Sequence, residues 1–234
     1  MRGFSQADVV ETVKHMTSKI ALKERFAAAV AALPLVAVLR GIRPEESEGI
    51  GRILYDAGFR LIEVPLNSPE PFASIARFRK ALPDDALVGA GTVTSTGQVP
   101  QLRECGGEMV FMPHADLEVV RAAKSLGLLC VPGVATPTEA FAALAAGADA
   151  LKLFPGEMIT PKVVKAIRAV LPKEILLLPF GGITPESMRS YVEAGAGAFG
   201  LGSGLYKPGM RGDEVAARAQ AFVEAWNGLT ANAA

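Results

Sequence analysis

The sequence predicts a single parallel (β/α)8 barrel, and three observations carry that expectation. Short apolar runs alternate with helix-like segments eight times over, at spacings of roughly 20–25 residues. The runs are apolar at nearly every position, as expected of strands covered on both faces. No linker, charge block or low-complexity tract interrupts the alternation. An open doubly wound sheet usually has fewer strands and often a Gly-rich first turn, and Arg40-Gly41-Ile42 is no dinucleotide fingerprint. The expected architecture is therefore the TIM barrel, over residues 33–234, preceded by an N-terminal helical extension over residues 1–32.

Residues 6–31 show helical spacing, with Val9, Val10, Val13, Met16, Ile20, Phe26 and Val30 recurring at threes and fours. Pro34 punctuates, and the first strand follows at Leu35–Leu39. The remaining strands are expected at Arg60–Val64, Ala86–Ala90, Glu108–Met112, Leu128–Val131, Ala150–Phe154, Ile175–Leu178 and Ala198–Leu201. Helices are expected at about 45–57, 70–81, 97–105, 116–125, 137–146, 160–170, 185–194 and 213–227. Thr136-Pro137, Thr160-Pro161 and Thr184-Pro185 each place an N-cap residue before a first-turn proline. Gly58, Gly127, Gly147 and Gly195 stand where helices should stop.

Composition narrows the function. Half the residues are hydrophobic, and 24 basic side chains balance 24 acidic ones, leaving no electrostatic footprint for nucleic acid or an anionic membrane. No apolar run approaches the ~20 residues that span a bilayer, and the N-terminus lacks a signal-peptide core. Cys105 and Cys130 read as free thiols in a reducing compartment, with one disulfide between them as the alternative, and the expected location is the cytoplasm. The two histidines, His15 and His114, form no cluster with acidic residues, which argues against a metal site.

In a barrel the active site lies at the C-terminal ends of the strands. Lys152 falls within the sixth strand, and alternation groups it with Ala150 and Phe154, pointing inward. Glu63 points inward from the second strand by the same parity. Both strands are even-numbered, so both side chains are aimed at one space. Desolvation makes a buried Lys–Glu pair a poor stabilising device, so chemistry is the better reason for one. A buried lysine that loses its proton is a nucleophilic amine, as Schiff-base formation on a carbonyl requires.

A second constellation suits phosphate. Phe180-Gly181-Gly182 follows the seventh strand and Gly200-Leu201-Gly202-Ser203-Gly204 the eighth, the two positions where barrels commonly bind phosphate. Arg40, ending the first strand, can hold a carboxylate through paired N–H donors, with Thr92 adding a hydroxyl.

These motifs resemble a known family. Arg40-Gly41-Ile42, Glu63-Val64-Pro65-Leu66-Asn67-Ser68-Pro69, Gly89-Ala90-Gly91-Thr92-Val93, Pro132-Gly133, Leu151-Lys152-Leu153-Phe154-Pro155, Gly181-Gly182 and Gly202-Ser203 look like the KDPG/KDPGal aldolases, class I enzymes that split 2-keto-3-deoxy-6-phosphosugar acids. The resemblance implies Lys152 as the Schiff-base lysine and Glu63 as the proton shuttle. It implies substrate contacts at Arg40, Thr92, Pro132, Gly181, Gly182, Gly202 and Ser203, a homotrimer, and no metal or organic cofactor. The implied partners are a phosphorylated keto-deoxy sugar acid and pyruvate. Pro65, Asn67 and an apolar Phe180 before Gly181 are similar to the galactonate branch, while the gluconate epimer or dual specificity is the alternative. Two departures bear on specificity: His114 stands where asparagine is expected, and Phe180 where valine is expected. A phosphosugar isomerase or thiamine-phosphate-synthase-like barrel would leave Lys152 and Glu63 unexplained. A non-catalytic phosphosugar-binding barrel would not require the residues of the chemistry.

Overall fold

A computed structural model describes residues 21–231 of the protein. The earlier part of the expected extension, including His15, lies outside the described residues. Helix α1 occupies residues 21–32. Strands β1 to β9 are Leu35–Val38, Leu61–Pro65, Leu87–Gly91, Met109–Phe111, Leu129–Val131, Gly133–Val134, Leu151–Leu153, Leu177–Pro179 and Phe199–Leu201. Helices α2 to α9 are Pro44–Asp56, Pro71–Ala81, Gln98–Glu104, Leu117–Ser125, Pro137–Ala145, Pro161–Arg168, Met188–Glu193 and Gly212–Thr230.

All strand pairs are parallel, in a six-stranded run β5-β4-β3-β2-β1-β9 and a three-stranded run β6-β7-β8. The runs join at both ends. β5 and β6 are one strand interrupted at Pro132, and a parallel bridge between Phe180 and Gly200 ties the end of β8 to β9. The result is the expected eight-position barrel, with one correction: the fifth strand is two segments. Pro132 has no N–H to donate and interrupts the ladder, yet its carbonyl accepts from the Lys152 N–H at 3.0 Å.

Two apolar clusters fill the molecule. Val36, Val38, Leu61, Leu87, Met109, Phe111, Leu129, Val131, Ala150 and Leu178 pack inside the barrel. Ala37, Ile62, Val64, Val88, Val110, Leu151, Leu153 and Leu177 face the helix layer. Consecutive residues thus fall in opposite clusters, which is the period-2 alternation of a strand. Leu22, Phe26, Ala29 and Val30 of α1 join the interior cluster, so the described part of the extension packs against the barrel core. Arg25 of α1 bonds Glu108 and the Asp84 carbonyl, fixing the helix there.

Helix boundaries follow local chemistry. Thr136 and Glu139 make a reciprocal capping box on α6, and Asp116 accepts from the N–H groups of Glu118 and Val119 on α5. Gly58, Gly127, Gly147 and Gly195 all take positive φ at helix ends. The expected helix 185–194 is shorter: Thr184 and Ser187 exchange side-chain and backbone hydrogen bonds in a turn, and α8 begins only at Met188. That local bonding competes with helix. No helix among the described residues is long and apolar enough to cross a membrane.

Candidate active site

Lys152 and Glu63 meet inside the C-terminal mouth of the barrel. Glu63 is completely buried, Lys152 is 6% exposed, and Nζ lies 3.9 Å from Oε1. That separation exceeds a hydrogen bond. Neither Glu63 oxygen has a hydrogen-bond partner among the described residues. Burial pushes the Glu63 carboxyl above its usual range, against the opposing pull of Lys152 and Arg40. Burial also pushes the Lys152 amine below its usual range; Glu63 opposes that shift and Arg40 reinforces it. Both groups are thus biased toward their neutral forms, an amine that can attack beside an acid that can donate.

Neighbouring backbone makes room for this pair. A Cβ on Gly91 would lie 1.6 Å from Glu63 Oε1, so the carboxyl occupies the space a side chain would take. A Cβ on Gly200 would lie 2.2 Å from the Phe180 ring, which rests there and comes within 4.2 Å of Lys152 Nζ by its centroid. The Phe154 ring centroid lies 5.2 Å from the same amine. These rings help keep water from the amine, in line with its depressed basicity.

Lys152 borders a cavity of about 650 Å³ whose wall also includes Arg40, Phe180, Gly181, Gly182, Gly202 and Ser203, while Glu63 lies behind Lys152 and not in the wall itself. Seven of the sequence-selected residues therefore share one space. Gly181 and Gly182 both adopt positive φ, at 107° and 65°, a conformation that suits glycine and can turn successive N–H groups toward an anion. Arg40 Nη1 donates to Asn67 Oδ1 at 2.7 Å, and the Gly41 N–H donates to Ser68 Oγ at 2.8 Å, so the loops after β1 and β2 clasp each other.

Other selected residues stand back from that wall. Thr92, at the end of β3, holds a left-handed backbone with φ 55°, an uncommon state for a β-branched residue. Pro132 acts through its carbonyl on the Lys152 strand, as described above. His114 is exposed on the loop after β4 and is not part of the cavity wall. Gly133 lets that loop approach, since a Cβ there would meet the Pro113 backbone at 2.5 Å.

The wall also holds Glu157, Tyr206, Lys207 and Arg218, which sequence reasoning did not select. Arg218 carried no motif signal: it is one of several charged residues on α9 and reaches the mouth only by folding. Glu157 follows Lys152 closely enough that counting from the end of its strand points to it.

Comparison with known proteins adds the family. The family model for KDPG and KHG aldolase matches residues 27–221. The chain belongs to that family. It is an aldolase, a carbon–carbon lyase. A probable 2-dehydro-3-deoxy-6-phosphogalactonate aldolase of Rhizobium meliloti (strain 1021) is 46% identical over 196 residues, covering 84% of this chain and 92% of the relative. The 2-dehydro-3-deoxy-6-phosphogalactonate aldolase of Escherichia coli (strain K12) is 45% identical, covering 83% of this chain and 95% of that protein. Among solved structures, one described as native KDPGal aligns with a TM-score of 0.83 at 44% identity, over 85% of this chain and 97% of that one. The aldolase model begins within α1, so the matched region includes part of the helix that precedes β1.

Proposed function

We propose that this aldolase cleaves 2-dehydro-3-deoxy-6-phosphogalactonate to pyruvate and D-glyceraldehyde 3-phosphate through a Schiff base on Lys152. The observation that carries the reading is the buried, unbonded Glu63 carboxyl set 3.9 Å from the buried Lys152 amine at the floor of the cavity. A structural ion pair gains stability by satisfying both partners, whereas these two oxygens have no hydrogen-bond partner among the described residues and burial shifts both groups toward their neutral forms.

Neutral Lys152 attacks the C2 ketone, and the carbinolamine hydroxyl leaves as water on a proton from Glu63, which gives an iminium and leaves Glu63 as the carboxylate. The C3–C4 bond then breaks: its electrons move into the iminium as an enamine, while Glu63, in its carboxylate form, takes the C4 hydroxyl proton. Glyceraldehyde 3-phosphate leaves. Protonation of the enamine at C3 and hydrolysis of the imine release pyruvate and restore the amine. Arg40 and Thr92 hold the substrate carboxylate, with Pro132 fixing the lysine strand. Gly181, Gly182, Gly202 and Ser203 receive the phosphate. Phe180, Asn67 and His114 are assigned to acceptor specificity: Phe180 through its contact with Lys152, Asn67 through Arg40, and His114 through the loop after β4.

The high identity to two galactonate-branch relatives supports the choice of C4 epimer. By family resemblance we assign a homotrimer, which sedimentation measurements test. Unpaired Cys105 and Cys130 suit a reducing compartment, and the cytoplasm is the location assigned. The test of substrate is steady-state cleavage of the two C4 epimers. We expect kcat/KM for the galactonate epimer to exceed that for the gluconate epimer by about tenfold or more. Equal rates, or preference for the gluconate epimer, overturn the assignment.

A further inference from the structure

The glycine-rich loop after β9 is held from behind by α9. Arg218 and Phe222 stand one turn apart on the same helix face. Arg218 Nη1 donates to the Ser203 carbonyl at 3.1 Å and to the Gly204 carbonyl at 3.2 Å. Gly204 itself is wedged: a Cβ there would lie 3.3 Å from both the Ile183 carbonyl oxygen and the Phe222 ring. Through Ile183, that wedge also brings the loop after β8 into contact with this one.

The direction of these bonds matters. A trans peptide places its C=O and N–H on opposite sides. With the Ser203 carbonyl drawn to Arg218, the Gly204 N–H turns away from it. Among the described residues, no group accepts from the N–H of Gly204, Ser203 or Gly182. Free donors on two loops therefore border one cavity, and the Arg218 side chain forms part of the same wall. Its guanidinium adds a positive charge and N–H donors to that wall.

We propose that Arg218 is a positioning residue of the anion cradle, pinning the Ser203–Gly204 carbonyls so that the loop N–H groups stay free, while its fixed charge attracts the phosphate. This rests on the phosphate reading given under Proposed function. It extends that reading to a side chain on the last helix, outside both Gly-rich motifs.

The test compares aldol addition of pyruvate to glyceraldehyde 3-phosphate and to unphosphorylated glyceraldehyde, in the wild type and in Arg218→Gln and Arg218→Lys. The expected result for Arg218→Gln is a fall of about tenfold in preference for the phosphorylated aldehyde, appearing mainly in KM. Arg218→Lys should recover most of it, because one arginine nitrogen already serves both carbonyls. Should the glutamine variant fold poorly, Arg218→Met is the second variant that removes both donor and charge, and loss of preference in it despite a native melting profile supports the pinning role. Retention of the wild-type preference in a folded Arg218→Gln or Arg218→Met, or an equal loss on both aldehydes, overturns the proposal. A wild type that does not favour the phosphorylated aldehyde would instead refute the phosphate reading itself.

Discussion

Glu63 sits fully buried with no hydrogen bond to either oxygen among the described residues, which ordinarily costs a carboxylate several kcal/mol. Protonation lowers that cost, and the upward shift of its pKa has burial as its main cause. Lys152 is shifted the other way, below the ordinary lysine value of 10.5. The sign of the pH dependence follows. Only the neutral amine attacks, so adduct formation should rise with pH through the depressed lysine pKa and level off below 10.5. An ionised Glu63 favours the ammonium, so Glu63→Gln should move that midpoint to lower pH. The same substitution removes the proton carrier and should lower kcat for cleavage by about 10²–10⁴. Pyruvate adduct formation as a function of pH, measured beside kcat, checks both. A midpoint that moves upward contradicts the electrostatics. Both residues were legible because strand parity and barrel layering fix where a side chain points. Arg218 was not legible, since its role depends on where α9 crosses a loop far away in sequence.

Glycines at the strand ends are spacers for specific partners. Gly91 of β3 yields its side-chain volume to the Glu63 carboxyl, and Gly200 yields its own to Phe180. Gly91→Ala should therefore push Glu63 off its position, because the added carbon would overlap Oε1. A displacement of about 1 Å at a reacting group is worth roughly 10²-fold in rate, and overpacking costs about 1–3 kcal/mol. Kinetics and thermal melting of Gly91→Ala check this; unchanged kcat would mean that Glu63 does not act from the position seen. Element order, strand parity and most helix ends could be read from the chain, because apolar period and capping residues are local signals. The break at Pro132 and the late start of α8 could not. The first depends on which strand faces a missing N–H, and the second on Thr184 and Ser187 bonding each other instead of capping a longer helix.

At the scale of the molecule, closure of the barrel is what turns separate motifs into one site. β2 and β7 lie apart in the sheet order, yet their inward residues meet because the wall curves around a shared interior. The loops after β1, β8 and β9 border the same cavity for the same reason. Part of α1 packs its apolar side against the interior cluster, leaving the C-terminal mouth as the opening to the reactive pair. The central claim is that Lys152 forms a covalent imine with the keto acid. Incubation of the protein with pyruvate and borohydride, followed by peptide mass mapping, tests it most directly. The account predicts a reduced pyruvyl adduct on Lys152 that is absent in Lys152→Arg; no adduct, or an adduct on another lysine, would contradict it.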